Sequence, residues 1–176
     1  MKKTLFILYL LLTATVASKA QFQQDLALKY LVQLPAERSA NMPVIILLHG
    51  YGSNEADLFG LKEVLPKKFL VASARAPYPV GPNGFQWFNL NNLDDQPEIG
   101  NSRNLIVKFI DGLTTKYNAD KQNVYIIGFS QGAMMSYEVG LYNPEKVKGI
   151  APLSGRIFSS VKQNIKNASP QMKQLK

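Results

Sequence analysis

The sequence contains no cysteine and a single histidine among its 176 residues. The first absence excludes disulfides, thiolate metal sites and a cysteine nucleophile together. A lone imidazole excludes a zinc site built on several histidines, and no metal or other cofactor is expected. Acidic residues are scarce: 12 Asp and Glu stand against 20 Lys and Arg, for a net charge of +8. The bases are nonetheless scattered among the acids. Apart from a tail carrying Lys162, Lys166, Lys173 and Lys176, they form no cluster, and no basic stripe interleaves with aromatics. Nucleic acid is therefore not an expected partner. The 12 Gly and 10 Pro imply many turns but build no repeat or low-complexity tract. Apolar residues at 46% and charged ones at 18% give an ordinary globular balance, and the length fits one domain.

The first twenty residues have the three parts of a secretory leader. Met1-Lys2-Lys3 is a basic start, Leu5 to Leu12 is nearly all apolar, and Ser18-Lys19-Ala20 offers small residues where a signal peptidase reads. The apolar run is well short of the roughly 20 residues a spanning helix needs, and Lys19 follows closely. The expectation is export, to periplasm or medium, with cleavage after Ala20 and no stable membrane anchor, leaving a domain of residues 21–176. Loss of Lys2, Lys3 and Lys19 would take the net charge from +8 to +5.

In the remaining chain, strands and helices alternate. Leu28 to Pro35 has near-alternating bulky residues and reads as a strand. Pro43 to Leu48 is a continuous apolar run, as expected of a strand buried on both faces in a parallel sheet. A helix containing Leu58, Leu61, Val64 and Leu65 is expected after a cap at Asn54, with Pro66 ending it. Phe69 to Ser73 reads as a third strand. A long irregular stretch runs from Ala76 to Gly100 and holds Trp87-Phe88. Leu105, Ile106, Phe109, Ile110 and Leu113 then fall at helical spacing, with Asn101 or Ser102 as cap. Asn123 to Ile127 is a buried-type strand, Gln131 to Tyr142 a helix, and Val147 to Leu153 a last, weaker strand. The class is α/β with a mostly parallel sheet and flanking helices.

Gly128-Phe129-Ser130-Gln131-Gly132 is G-x-S-x-G, with a buried strand running into it and a helix leaving it. That is the setting of a nucleophile elbow. A sharp, strained turn lifts the serine hydroxyl clear of the sheet, and flanking glycines let strand and helix approach closely. The helix start aims amides at the site, where they favour developing negative charge. An acyl-serine reaction needs two such donors. One is the N–H of Gln131, after the nucleophile; the other is expected from His49-Gly50-Tyr51-Gly52, at the Tyr51 N–H. His49 lies in that loop, before the nucleophile in the chain. In elbow hydrolases the order is Ser, acid, His, so His49 is expected to support the loop rather than act as base.

These segments resemble the phospholipase/carboxylesterase branch of the α/β-hydrolases, similar to acyl-protein thioesterases and small bacterial carboxylesterases. The resemblance rests on Leu47-Leu48-His49-Gly50-Tyr51-Gly52-Ser53-Asn54, on Trp87-Phe88, on Asp120 through Ala133 and on Leu153-Ser154-Gly155. It implies hydrolysis of small carboxylic esters or thioesters through an acyl-serine at Ser130, without a cofactor. Trp87 and Phe88 would line the substrate pocket, although core packing explains them equally well. Asn89 departs from the Asp that family members often carry there. The resemblance also implies a catalytic acid and His beyond Leu-Ser-Gly. No His follows Ser130, and Glu138 and Glu145, the acids after it, follow no later strand. The expectation is a truncated form of an exported esterase, missing its last strands and helices and with doubtful activity of its own. A cut sheet would expose an apolar edge and fold poorly. The alternative is a non-catalytic ester- or lipid-binding module on the same scaffold.

Overall fold

The computed structural model describes residues 21–37, 39–91, 97–165, 170 and 174–176. The expected leader, residues 1–20, and Lys166 and Lys173 of the basic tail lie outside them. The strands are β1 (Gln21–Gln23), β2 (Tyr30–Gln33), β3 (Met42–Leu48), β4 (Leu70–Ala74), β5 (Tyr78–Pro79), β6 (Phe85–Gln86), β7 (Ala119–Phe129) and β8 (Gly149–Leu153). The helices are α1 (Pro97–Lys116), α2 (Gln131–Tyr142) and α3 (Ser159–Ile165), with a 3-10 helix at Leu58–Glu63.

Six strands form one sheet in the order β1-β2-β4-β3-β7-β8, and β5 and β6 form a separate small hairpin. β4, β3, β7 and β8 are mutually parallel, while β1 and β2 run antiparallel at one edge. β3 shows why the centre holds. Its even residues Val44, Ile46 and Leu48 join the core formed with α1 and α2, while Ile45 and Leu47 pack on the 3-10 helix side. Burial on both faces is what a continuous apolar run requires. α1 contributes Ile106, Phe109, Ile110 and Leu113 to the same core. At the other edge, among the described residues, β8 is joined at its start: the Ile150 N–H donates to the Lys176 carbonyl and the Lys176 N–H to the Lys148 carbonyl. Among the described residues no helix is long and apolar enough to cross a membrane.

The order places a switch point beside β3. The chain leaves β3 for β4 on one side and later returns to β7 on the other. In open α/β sheets ligands bind in the crevice at the carboxyl ends of strands at such a point. Here the loops that follow β3 and β7 flank it, and they begin at His49 and Ser130.

Three local expectations differ from the structure. The segment after Asn54 is turns and a six-residue 3-10 helix rather than an α-helix. Gly60 in its middle disfavours α-helix by about 1 kcal/mol, and Asn54 serves a turn instead, accepting the Ala56 N–H. α1 begins at Pro97, where a proline at the first helical position loses no hydrogen bond. Asn101 and Ser102 consequently lie inside the helix and do not cap it; Asn101 donates to the Tyr78 hydroxyl. The stretch after Ala76 is also less irregular than expected, since it folds into the β5–β6 hairpin.

Ser73 is fully buried on β4, in register between Leu31 and Leu47, and its hydroxyl has no hydrogen-bond partner. An unsatisfied buried donor costs about 1–3 kcal/mol. Ser73→Ala should therefore match or exceed the wild-type chain in urea unfolding. A clear loss of stability would mean that the hydroxyl is bonded after all.

Candidate active site

Ser130 links the last residue of β7 to the first of α2 and adopts φ 50° and ψ −111°. That left-handed backbone costs a non-glycine residue about 1–3 kcal/mol and persists only where surroundings enforce it. Its surroundings do so. The Ser130 N–H donates to the Leu153 carbonyl at 2.8 Å, and its own carbonyl accepts the Ala133 and Met134 amides at 3.1 Å. A Cβ on Gly132 would sit 2.1 Å from the Leu48 carbonyl oxygen; one on Gly128 would sit 2.3 Å from that of Gly132. On Gly155 it would meet the Ala133 Cβ at 2.4 Å. Three glycines thus let β3, β7 and the Leu-Ser-Gly loop close around the start of α2.

The loop after β3 touches this elbow. A Cβ at Gly50 would lie 3.2 Å from the Phe129 ring and 3.5 Å from the Ser130 Cβ. Gly50 opens a turn closed by the Ser53 N–H on its carbonyl at 3.3 Å, with Gly52 at φ 73°. The turn makes no use of the Tyr51 N–H. The β5–β6 hairpin pins the loop from outside: the Gly52 N–H donates to the Phe85 carbonyl, the Phe85 N–H to Ser53, and the Asn54 side chain to the Asn83 carbonyl. The Gln131 N–H is at the first position of α2, one of the amides a helix leaves without an internal partner. The arrangement brings Ser130, the Tyr51 loop and the α2 N-terminus to one end of the sheet.

His49 is fully buried, and both ring nitrogens are engaged. Nε2 accepts the Ala76 N–H at 3.0 Å, so Nδ1 carries the proton and donates it to the Gly50 carbonyl at 2.7 Å. Burial pushes the imidazole below its usual range, only partly opposed by the Gly50 contact. A neutral ring with no free nitrogen cannot take a proton from Ser130.

Trp87 and Phe88 do not line an open pocket. Both are fully buried, and Phe88 packs edge-on against Phe158. The Trp87 indole N–H donates to the His49 carbonyl at 2.9 Å, and its ring lies 5.6 Å from the imidazole. Ser102, expected as a cap, donates instead to the Trp87 carbonyl. The side chain of Gln131 was not foreseen at all. Its Oε1 accepts the Trp87 N–H at 2.8 Å, and its Nε2 donates to the Phe88 carbonyl at 2.6 Å. The only trace of this in the sequence is a glutamine directly after the serine of the elbow, at the first position of α2.

Glu138 stands two turns along α2 from Ser130, about 12 Å away at 1.5 Å per residue. It is buried, bonded to Arg103 at 3.1 Å, and raised by burial against the pull of that guanidinium. It has no role at the nucleophile. Among the described residues no three His, Asp or Glu side chains converge as a metal site.

A mostly parallel sheet with a switch point beside β3 and a strained serine elbow there define an α/β-hydrolase. Residues 31–175 match the phospholipase/carboxylesterase family, and the chain belongs to it. It resembles a carboxylesterase from Mesorhizobium loti, with TM-score 0.70 and 23% identity over 79% of this chain and 66% of that one. The Bacillus cereus carboxylesterase gives TM-score 0.61 and 26% identity over 70% of this chain and 57% of that one. A bifunctional acetylxylan esterase/xylanase of Neocallimastix patriciarum is 26% identical over 138 residues, which cover 74% of this chain and 18% of that protein. The chain thus spans about two thirds or less of these proteins.

Gly132→Ala should cost about 3 kcal/mol or more, because the Leu48 backbone cannot yield to the new methyl. Urea unfolding measures this, and wild-type stability would contradict the close approach. His49 sets a pH dependence. Below the ordinary imidazole value of about 6.5 the unfolded chain takes up a proton that the folded chain refuses, so stability falls as pH drops. Glu138, with its raised value, acts with opposite sign, so the comparison is between wild type and His49→Gln. The variant should lose less stability between about pH 7 and about pH 5.5. Equal slopes would mean that His49 titrates normally in the folded chain.

Proposed function

We propose that this chain is an exported serine hydrolase of small-molecule carboxylic esters or thioesters. Ser130 Oγ would attack the acyl carbon and expel the alcohol or thiol, and water would then release the acid from the acyl-serine. The Tyr51 and Gln131 amides would hold the oxyanion. The observation that carries this reading is the backbone of Ser130, held at φ 50° between β7 and α2. Strain of this kind is retained where a side chain must be presented. Phe129 and Tyr51 on the segments that flank the serine, and Leu153 whose carbonyl accepts its N–H, are half-exposed, which favours an apolar acyl or alcohol group over a charged one. The esterase names of the relatives point the same way. Export is supported by the pattern of Met1 to Ala20. His49 is assigned no proton transfer, and a serine without a base is a weak nucleophile at neutral pH. Both acylation and release should therefore be slow in this chain.

Incubation with p-nitrophenyl acetate tests the reading. Intact-mass analysis should find one acetyl group on Ser130, formed slowly and absent from Ser130→Ala. An undiminished adduct in that variant would remove Ser130 from the reaction. Rapid turnover by the wild-type chain would instead contradict the exclusion of His49 as base.

A further inference from the structure

Both amides assigned to the oxyanion belong to segments joined by one buried chain of hydrogen bonds, and the Gln131 side chain is its centre. The carboxamide satisfies two backbone groups at once, the Trp87 N–H at 2.8 Å and the Phe88 carbonyl at 2.6 Å. It therefore imitates the edge of a strand, although it belongs to the first residue of a helix. From Trp87 the chain continues through the indole N–H to the His49 carbonyl, one residue before Gly50 and two before Tyr51. The His49 ring then anchors on the Ala76 amide beyond β4. On the far side, Ser102 of α1 holds the Trp87 carbonyl. His49, Gln131, Trp87 and Phe88 are all buried, so water offers these groups no easy substitute.

Resting on the reading of Ser130 as nucleophile, we infer that the Gln131 carboxamide is the positioning group of the oxyanion site. Its backbone N–H is one donor. Its side chain, through Trp87 and His49, fixes the segment that carries the other. The two donors are set by one residue and not independently. The geometry explains why an amide is needed there. One end must accept from an N–H and the other must donate to a carbonyl, which no apolar or singly functional side chain of that size does. Misplacing a reacting contact by about 1 Å is worth up to about a hundredfold in rate. A residue acting in this way changes the rate at which a bound probe reacts, and not how well the probe binds.

The test uses an alkyl fluorophosphonate, whose oxygen takes the oxyanion's place when Ser130 is phosphonylated and fluoride leaves. Labelling of the folded chain is followed by intact mass across a range of probe concentrations. Gln131→Met keeps the length of the side chain and removes both hydrogen bonds. It should lower the saturating rate at Ser130 by about tenfold or more and leave the half-saturating concentration unchanged. A merely structural role would reduce the folded fraction, and with it the amplitude, but not the rate of the chains that do fold. Should Gln131→Met fail to fold, Trp87→Phe carries the test. It removes the indole link to His49 along with part of the buried ring, leaves both backbone bonds to Gln131 in place, and should also slow the saturating step. A saturating rate equal to wild type in the folded variant overturns the inference while leaving Ser130 as nucleophile. Failure of wild-type Ser130 to label faster than the chain's other serines overturns both.

Discussion

Everything at this site depends on how closely α2 approaches the end of β3. The start of a helix rarely touches a neighbouring strand's backbone, because a side chain stands between them. Gly132 removes that side chain, and the Leu48 carbonyl fills the space where it would have been. With α2 seated there, Ser130 joins β7 to the helix in the left-handed conformation. The strain is then held by bonds to Leu153, Ala133 and Met134. The same contact brings the loop after β3 against the elbow, so that a Cβ on Gly50 would press on the Phe129 ring. One steric fact thus connects the sheet order, the serine's presentation and the position of the second amide.

Around this contact the protein places its polar groups where an apolar core would be simpler. His49, Gln131 and Ser102 are buried beside Trp87, and each finds a partner. A satisfied buried network of this kind adds little net stability, about 1 kcal/mol per bond, but leaving one member unpaired is costly. It therefore specifies one arrangement more than it strengthens the fold. The contrast with Ser73, which has no partner, shows that burial alone does not provide one. The single histidine of the chain is part of the specifying network, which is why it cannot also be a proton carrier.

The central elements were legible because their patterns are local. β3 reads from its unbroken apolar run, and α2 from the elbow at one end and Asn143-Pro144 at the other; its bounds agree residue for residue. The Gly128, Ser130 and Gly132 positions were legible for the same reason, since a fixed spacing encodes a fixed turn. What was not legible is long-range. In sequence Trp87 and Phe88 fit a pocket or the core equally well, and it is long-range contacts, with Phe158, His49 and Gln131, that place them in the core. Ser102 is a good cap by type, but Pro97 starts the helix earlier and Trp87 claims the hydroxyl. The β5–β6 hairpin is fixed by its bonds to the Gly50–Asn54 loop, about thirty residues earlier in the chain, which no window of sequence contains.

The central claim is that one contact sets Ser130 and the two amides as a single oxyanion site. A crystal structure of the chain phosphonylated by a fluorophosphonate tests it most directly. The account predicts phosphorus on Ser130 Oγ, with one phosphonyl oxygen accepting hydrogen bonds from both the Tyr51 and the Gln131 N–H. An adduct whose oxygen faces solvent, or meets only one of the two amides, would contradict it.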